Sequence, residues 1–353
     1  MQKMCVSLML LFSLAICHAE NFSERAFQSA VLPNCDCYFF CENAALVGTT
    51  AEGMLSLFNQ SDPTELEGDS AKEVMRAFLA AVNRKLPFSD IKAVKRSQGC
   101  FAWAGTGPKA VAGSRFLYAW ELFQPLALAD VQKVIQAEAE SCTIQVRVQP
   151  SELPNVLEIS FPNRPELPTH SMAFLADNKI ILMGEKALLT TVVSNIEKSL
   201  LGEGLPAELQ TAKKKVPAGS NFYALFVPNA AMKAAASQRA AEAPQMAVFN
   251  NLTNLVFALN AGEKTDLSLG MQFANAQSAN LGKSMLIDGL FLGMLKMHLL
   301  QLSEKPIPML DTMKSQLQDT EAIFTCAISA DDLETLGIFN KNMRHRIRSM
   351  FAD

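Results

Sequence analysis

The sequence predicts an α+β protein of two related halves, each a mainly antiparallel sheet with helices packed on one face. Its 353 residues are 49% hydrophobic and 19% charged, which is enough apolar material for a sizeable core. Apolar strands precede amphipathic helices, and each half approximates the order β-α-β-β-α-β, the split βαβ or ferredoxin-like pattern. The halves also match at a strand-to-helix junction, where one set of residues aligns with another 186 positions later: Phe40, Asn43, Ala44 and Ala45 with Phe226, Asn229, Ala230 and Ala231. A chance match of two generic strand–helix units is the alternative to an internal duplication.

Residues 1–19 have the three parts of a secretory signal peptide. Lys3 precedes an apolar run from Cys5 to Cys17, and Ala19 supplies the small residue expected before a cleavage site. The run is shorter than the roughly 20 residues of a membrane span. We therefore expect export to the periplasm or the cell exterior rather than an anchored or buried N-terminal helix. Residues 14–17 also resemble a lipoprotein box, but the bulky Ile16 disfavours lipidation at Cys17.

The first half is expected over residues 20–201. A strand near residues 38–41 leads into a helix, and Asn43, like Asn229 in the second half, suits an N-cap because its side chain accepts hydrogen bonds from unpaired helical N–H groups. Further strands are predicted over residues 91–104, 114–124, 143–148, 156–161, 171–176 and 179–183, and helices over 129–140 and 186–200. Two prolines and three consecutive lysines make residues 202–220 the expected linker.

The second half is expected over residues 221–353. A strand over 222–227 leads into a helix from residue 228, and strands over 252–261 and 267–274 flank a hairpin loop. A long helix is predicted over 278–302, then a strand over 321–329 and a helix over 331–343 that is capped by Ser329 or Asp331.

The later part of the long helix, residues 285–302, is apolar nearly all round. We expect a buried central helix in which Gly289 and Gly293 let a neighbouring element approach. An alternative is that Met294, Met297 and His298 line a pocket for an apolar small molecule, because thioethers adapt to irregular shapes. Partial insertion into a membrane is a third interpretation, since the charged residues of the helix make a full span costly.

The duplicated plan, the export signal and the phrase Phe-Leu-Ala-Asp-Asn-Lys-Ile-Ile-Leu-Met-Gly at residues 174–184 together resemble uncharacterised exported bacterial α+β proteins. The resemblance covers the pattern over most of the mature chain. It implies a fold class and brings no catalytic residue.

Six cysteines remain once residues 1–19 are removed, and in an exported protein they are candidates for up to three disulfides among fifteen pairings. Buried thiols or ordinary disulfides are the favoured interpretation. If residues 35–41 form a strand, the thiols of Cys35, Cys37 and Cys41 would share one face. A soft-metal site and a redox pair are therefore alternatives. Neither a CxxC pair nor a nearby histidine completes a metal site, and we predict no metal or cofactor. The six are Cys35, Cys37, Cys41, Cys100, Cys142 and Cys326.

The sequence contains no HExxH, GxSxG, GxxxxGK[ST] or post-strand GxGxxG motif. Histidine is the usual general base, but His170 has no local acid to orient it. His298 lies in an apolar helix and His345 lies among arginines, so neither is a favoured general base. Acid pairs at residues 138 and 140 and at 331 and 332 are explained by their positions near helix ends. The formal net charge of −4 gives no global reason to bind nucleic acid.

Two basic runs remain. Residues 213–215 are expected to be a solvated loop. The second run contains Lys341, Arg344, Arg346 and Arg348. We expect these cations to complement the dipole at the C-terminus of a helix. The alternative is that they contact anionic lipid or an acidic partner.

These observations favour a non-enzymatic exported protein that acts through contacts with another exported protein or a ligand, which predicts no deep pocket. A carrier of an apolar small molecule is the first alternative and predicts an apolar cavity beside Met294 and Met297. A hydrolase assembled from distant residues is the second, and it predicts a cleft with clustered titratable groups that include His170.

Overall fold

The structure is a computed structural model that describes part of the chain. The described residues are 26, 27, 29–32, 34–42, 82, 85, 86, 93–102, 115–141, 145–163, 168–198, 204–240, 244–261, 264–294, 296, 297, 307–329, 331 and 332. They form two compact units. The first contains the described residues of Met1–Cys35, Leu66–Trp103 and Ala112–Pro206, and the second those of Asp36–Glu65, Ala104–Val111 and Ala207–Asp353.

The helices and strands are numbered in chain order. They are β1 (Cys37–Glu42), β2 (Val94–Ala102), β3 (Arg115–Leu122), α1 (Leu128–Ser141), β4 (Arg147–Pro150), β5 (Val156–Ser160), β6 (His170–Leu175), β7 (Ile180–Glu185), α2 (Lys186–Glu197), α3 (Ala207–Lys213), β8 (Phe222–Phe226), α4 (Ala230–Ala240), a 3₁₀ helix (Pro244–Asn251), β9 (Leu252–Ala261), β10 (Thr265–Phe273), α5 (Ala276–Gly282), a π-helix (Lys283–Met294), α6 (Met309–Thr312), β11 (Lys314–Gln318) and β12 (Glu321–Ile328).

The first unit is an antiparallel sheet in the order β2-β3-β7-β6-β5-β4. Strands β5, β6 and β7 are buried at nearly every position, so both of their faces are covered. Helix α2 packs on β6 and β7 through an apolar stripe at helical spacing, which includes Leu189, Val193 and Ile196. Helix α1 links β3 to β4. These two strands run parallel to each other, and β7, β6 and β5 lie between them.

The second unit is an antiparallel sheet in the order β11-β12-β10-β9-β8-β1. Along β12 buried and half-buried residues alternate, as expected for a strand with two unlike faces. The core on one face gathers Phe273, Ile287, Met309 and Phe324 from the sheet, the π-helix and α6. The chain from β10 through the helices to β11 crosses over, and β12 returns between these two strands, which is a split βαβ arrangement.

An α+β protein with mainly antiparallel strands is therefore confirmed. Asn229 caps α4, because its Oδ1 accepts the Met232 N–H at 3.0 Å as the junction pattern predicted; Asn43 lies outside the described residues. In the first unit three strands separate those that flank α1, whereas a ferredoxin-like half would have one. The relation between the halves stays a prediction.

Two segments differ from the sequence prediction. Residues 202–220, expected as a linker, contain α3, whose Leu209 and Ala212 are buried and which packs against β8 and β9. The helix predicted over 278–302 begins at Ala276 and changes from α to π geometry at Lys283.

The close approach to this helix occurs at Gly282, whereas the sequence predicted it at Gly289 and Gly293. A Cβ on Gly282 would overlap the ring of Phe273, so glycine at this position lets β10 come this close. Near Gly289 and Gly293 the atoms within 4 Å of such a Cβ are carbonyls of the same helix. The prediction that these two glycines receive a neighbouring element is therefore wrong for the described residues.

Candidate functional site

An open groove of about 570 Å³ crosses the sheet of the second unit. Strands β9, β10, β12 and β11 form its floor, and the segment after α3 and the end of α6 form its sides. It is lined by Pro217, Ala218, Ser220, Ala258, Asn260, Asp266, Leu267, Ser268, Asp311, Thr312, Lys314, Thr325, Cys326 and Ala327.

The floor is a row of small and polar side chains at one level of four neighbouring strands. In the strand register Ala258 pairs with Ser268, Ser268 with Thr325, and Thr325 with Lys314. Residues in register on adjacent antiparallel strands point to the same face of the sheet. Small side chains in the first three positions therefore leave the space that is the groove, and Lys314 stands at its outer end.

The two sides of the groove are fastened to the sheet by polar contacts. Lys215, just after α3, pairs with Glu321 of β12 at 3.0 Å, and Gly219 turns the chain with a positive φ of 81°. On the other side, Thr312 Oγ1 accepts the Ala327 N–H at 2.9 Å and so holds the end of α6 to β12. The groove is thus a built feature of the second unit.

The charged side chains that line the groove are Asp266, Asp311 and Lys314. Two carboxylates against one ammonium give the lining an excess of negative charge. Burial, with added repulsion from the Asp332 and Asp266 carboxylates, raises the pKa of the Cys326 thiol to about 12. At neutral pH Cys326 is thus a protonated thiol and a poor nucleophile.

Strand β11 is the last strand of this sheet and borders the groove. Among the described residues it has a strand neighbour, β12, on one side only, and four of its own five residues are exposed. Its Leu317 is 39% exposed, which is high for a large apolar side chain. Lys314 is its single charge.

A carboxylate on the π-helix holds β11 from the other face of the sheet. Asp288 accepts hydrogen bonds from Ser315 at 2.5 Å and from Lys283 at 2.7 Å. Burial acts to raise the pKa of Asp288, but the hydrogen bonds from Lys283 and Ser315 outweigh it and lower the pKa. Because Lys314 and Ser315 alternate along the strand, the groove and the π-helix lie on opposite faces of β11.

The residues predicted for an apolar pocket do not line this groove. Met297 is 49% exposed, whereas His298 and the side chain of Met294 lie outside the described part of the chain. The described apolar residues of the π-helix, Ile287 above all, pack into the core. The basic residues from Lys341 to Arg348 also lie outside the described residues, so a membrane contact there stays a prediction.

The described cysteines are thiols in this structure. Cys35, Cys41, Cys100 and Cys326 are buried and Cys37 is partly buried, while Cys142 lies outside the described residues. The thiols of Cys35, Cys37 and Cys41 would share a face only if all three lay in one strand, and β1 begins at Cys37. The Cys35 thiol instead contacts the thiol of Cys100. Burial raises the pKa of Cys41 to about 11.

His170 is buried inside the sheet of the first unit, away from any groove found among the described residues. Its ring stacks on Phe116 with centroids 5.1 Å apart and hydrogen-bonds to the backbone of Pro168. Its Nδ1 atom has no hydrogen-bond partner among the described residues. Burial lowers the pKa of His170, so the ring is neutral at pH 7.

The acid pairs have structural roles. Asp332 Oδ2 accepts the N–H of Ser329 at 2.8 Å and Ser329 Oγ accepts the N–H of Asp332 at 3.2 Å, the reciprocal bonds of a capping box. Residues 333–343 of the predicted helix lie outside the described residues, so Ser329 as its cap stays a prediction. Glu138 is buried on α1 and pairs with Lys85. Among the residues the structure describes, no group of three or more His, Cys, Asp or Glu side chains is placed to hold a metal ion. The same residues include no helix long and apolar enough to span a membrane.

The sequence did not point to the groove or to β11. The segment Lys-Ser-Gln-Leu-Gln contains one apolar residue and so gives almost no strand signal. The groove depends on which residues of four strands come into register, and the period of a single strand does not encode that.

Comparisons with known proteins give one remote likeness. No model of a protein family matches the chain, and no curated protein matches it either. Among solved structures, crystal form I of TP0453, a bacterial protein, is similar with a TM-score of 0.42 and 9% sequence identity, over 88% of this chain and 96% of that one. A likeness this remote carries no argument about function.

Proposed function

We propose that this chain is an exported, non-enzymatic α+β protein that binds an extended segment of another polypeptide along β11 and the adjoining groove. The observation that carries the proposal is the exposed edge of β11. An edge strand presents unpaired N–H and C=O groups, which are a template for an added strand.

Strand β11 has few of the features by which proteins protect such an edge. Protective features include several charges, a proline or a bulge. In β11 there is one lysine and no proline, its pairing with β12 is regular, and Leu317 presents an apolar side chain. By contrast β4, the last strand of the first unit, carries Arg147 and ends at Pro150.

The groove defines the chemistry of the partner. Side chains of an added strand would alternate between the two faces of the sheet, and those on the Lys314 face would point toward the groove. The groove is lined by two carboxylates, of Asp266 and Asp311, and by one ammonium group, of Lys314. The segment that fits best therefore carries a basic side chain. The small side chains of the floor leave room for it.

Binding of short synthetic peptides tests this proposal. We expect β-prone peptides with a central lysine or arginine to bind the full chain, and the same peptides with glutamate at that position to bind at least about tenfold more weakly. Leu317→Lys protects the edge with a charge, and Asp266→Asn removes a groove carboxylate, so each should weaken binding. Fluorescence polarisation with labelled peptides measures both effects.

The matched control is Phe123→Lys, which replaces another exposed apolar residue, 47% accessible, in the first unit. It should leave peptide affinity unchanged. Equal binding of basic and acidic peptides, or equal loss in the Phe123 and Leu317 variants, would contradict a site at β11.

Export is supported by the sequence of residues 1–19, which lie outside the described residues. If this part of the proposal is right, the intact mass of the secreted protein corresponds to a chain that starts at Glu20 without lipid. A lipidated chain that starts at Cys17, or a chain that keeps Met1 inside the cell, would contradict it.

The similar strand connections within each of the two units support an origin by duplication. In each, a helical crossover joins two parallel strands and the chain then returns to fill the gap between them, with three strands in the first unit and one in the second. The matching strand-to-helix junctions in the sequence point the same way.

A further inference from the structure

We infer that Cys35 and Cys100 form a disulfide in the exported protein, which fastens the start of the mature chain to β2. The inference rests on the export part of the proposed function, because disulfides persist in oxidising compartments. Of the fifteen ways to pair the six cysteines of the mature chain, the inference favours those that join Cys35 to Cys100.

The contact between the two thiols is the first observation. The Cys35 thiol interacts with that of Cys100, and both residues are buried, with exposures of 5% and 2%. A disulfide would join the two sulfur atoms at about 2.05 Å.

The surrounding chain keeps the two cysteines together. The Leu32 N–H donates to Cys100 Sγ at 3.2 Å, and the Cys35 N–H donates to the Leu32 carbonyl at 3.2 Å, so a turn carries Cys35 back toward β2. Two residues earlier on β2, Gln98 Nε2 donates to the carbonyls of Phe27 at 2.5 Å and Ala30 at 3.1 Å. The pairing is therefore part of a docked segment.

This segment is buried although it lies close to the expected mature terminus. Ala26, Phe27, Ala30 and Leu32 are at most 3% exposed, and the guanidinium of Arg96 lies 4.3 Å from the centroid of the Phe27 ring. Chain termini generally fray unless they are tied down. A covalent link at Cys35 would keep this segment in place.

The chemistry needs an external disulfide as oxidant, such as oxidised glutathione or a thiol–disulfide oxidoreductase. One cysteine thiolate attacks the oxidant to form a mixed disulfide and releases one reduced thiol. The second cysteine then displaces the other half, so the pair loses two protons and two electrons and the oxidant becomes two thiols. Burial raises the pKa of Cys100 in the folded state, so we expect exchange to occur during folding and to be slow afterwards.

The test is refolding of the reduced full-length chain in a glutathione redox buffer, followed by alkylation and peptide mapping without reduction. We expect most molecules to yield a cross-linked peptide that contains residues 35 and 100 and is two hydrogens lighter than its reduced parts. Alkylation of both cysteines in refolded protein, or linkage of either one to a different cysteine, would overturn the inference.

Melting temperatures provide a second readout. A link across 65 residues restricts the unfolded chain, so reductant should lower the melting temperature of wild-type protein by roughly 10 °C and leave that of Cys35→Ser unchanged. Cys326→Ser, which changes a buried cysteine of the second unit, is the control and should respond like wild type. An equal response of Cys35→Ser and wild type would count against the link. Because the buffer supplies the oxidant, these results do not depend on where the protein resides.

Discussion

His170 and Asp332 are both almost fully buried, with exposures of 2% and 1%, but their surroundings differ. Asp332 accepts hydrogen bonds from the backbone of Met309 and Ser329 and from the Ser329 hydroxyl. His170 keeps one ring nitrogen without a partner and stacks on Phe116. Three donors compensate the buried Asp332 carboxylate, whereas burial of the His170 ring disfavours its protonated, charged form.

This difference predicts an acid-sensitive site in the first unit. Burial lowers the pKa of His170 below its usual 6.5, so the unfolded chain binds a proton at this residue more readily than the folded one. The stability that the neutral ring contributes is complete above pH 6.5 and is lost as the pH falls below it. Glu185, its register neighbour on β7, is paired with Arg115 at 3.6 Å.

His170→Phe removes the titration and keeps an aromatic ring against Phe116. Urea unfolding at pH 7.5 and pH 5 measures the effect. We expect wild-type protein to lose more stability between the two pH values than the variant does. Identical losses would show that His170 is not a source of acid sensitivity.

Individual residues were predictable from the sequence where the signal is local. Asn229 caps α4 as predicted, and Ser329 and Asp332 exchange hydrogen bonds, because such contacts join residues three positions apart. The contact of Cys35 with Cys100 and that of Asp288 with Ser315 join residues far apart in the chain. No local pattern predicts them.

At the scale of elements, helix α5 depends on one close approach. It packs on β10 where Gly282 meets the ring of Phe273, and any side chain there would overlap that ring. The chain continues directly into the π-helix, whose Asp288 holds β11. The position of β11 is therefore linked to the packing of this helix.

Gly282→Ala should destabilise the second unit by about 1–3 kcal/mol, because the added methyl group forces Phe273 or the helix to move. The matched control is Gly289→Ala, where the nearest atom to the new Cβ is the Ser284 carbonyl oxygen at 3.3 Å. It should change stability by less than about 1 kcal/mol. Denaturant unfolding compares the two, and equal effects would contradict the close packing at Gly282.

Most strands and the longer helices of the described residues were predictable because their apolar periods are strong. The predicted strand over 252–261 matches β9, and the predicted helix over 129–140 matches α1 within one residue at each end. Strand β11 and helix α3 were missed. One is too polar to show alternation, and the other lies among the prolines and lysines of an expected linker.

For the whole molecule, the sequence supported the α+β class, but strand order and the groove required the structure. Each unit buries its own core, and the second unit combines a small-residue floor, an excess of carboxylates and an exposed strand edge. These three features together, rather than any single side chain, lead to the proposal of polypeptide binding.

Polypeptide binding along β11 can be measured by hydrogen–deuterium exchange of the full chain, with and without the tightest-binding basic peptide. Addition of a strand to β11 would pair its outward N–H groups, so we expect slower exchange over residues 314–318. Leu317→Lys should abolish that protection and Phe123→Lys should not. Unchanged exchange in β11, with protection at another part of the chain, would rule out β11 as the binding site.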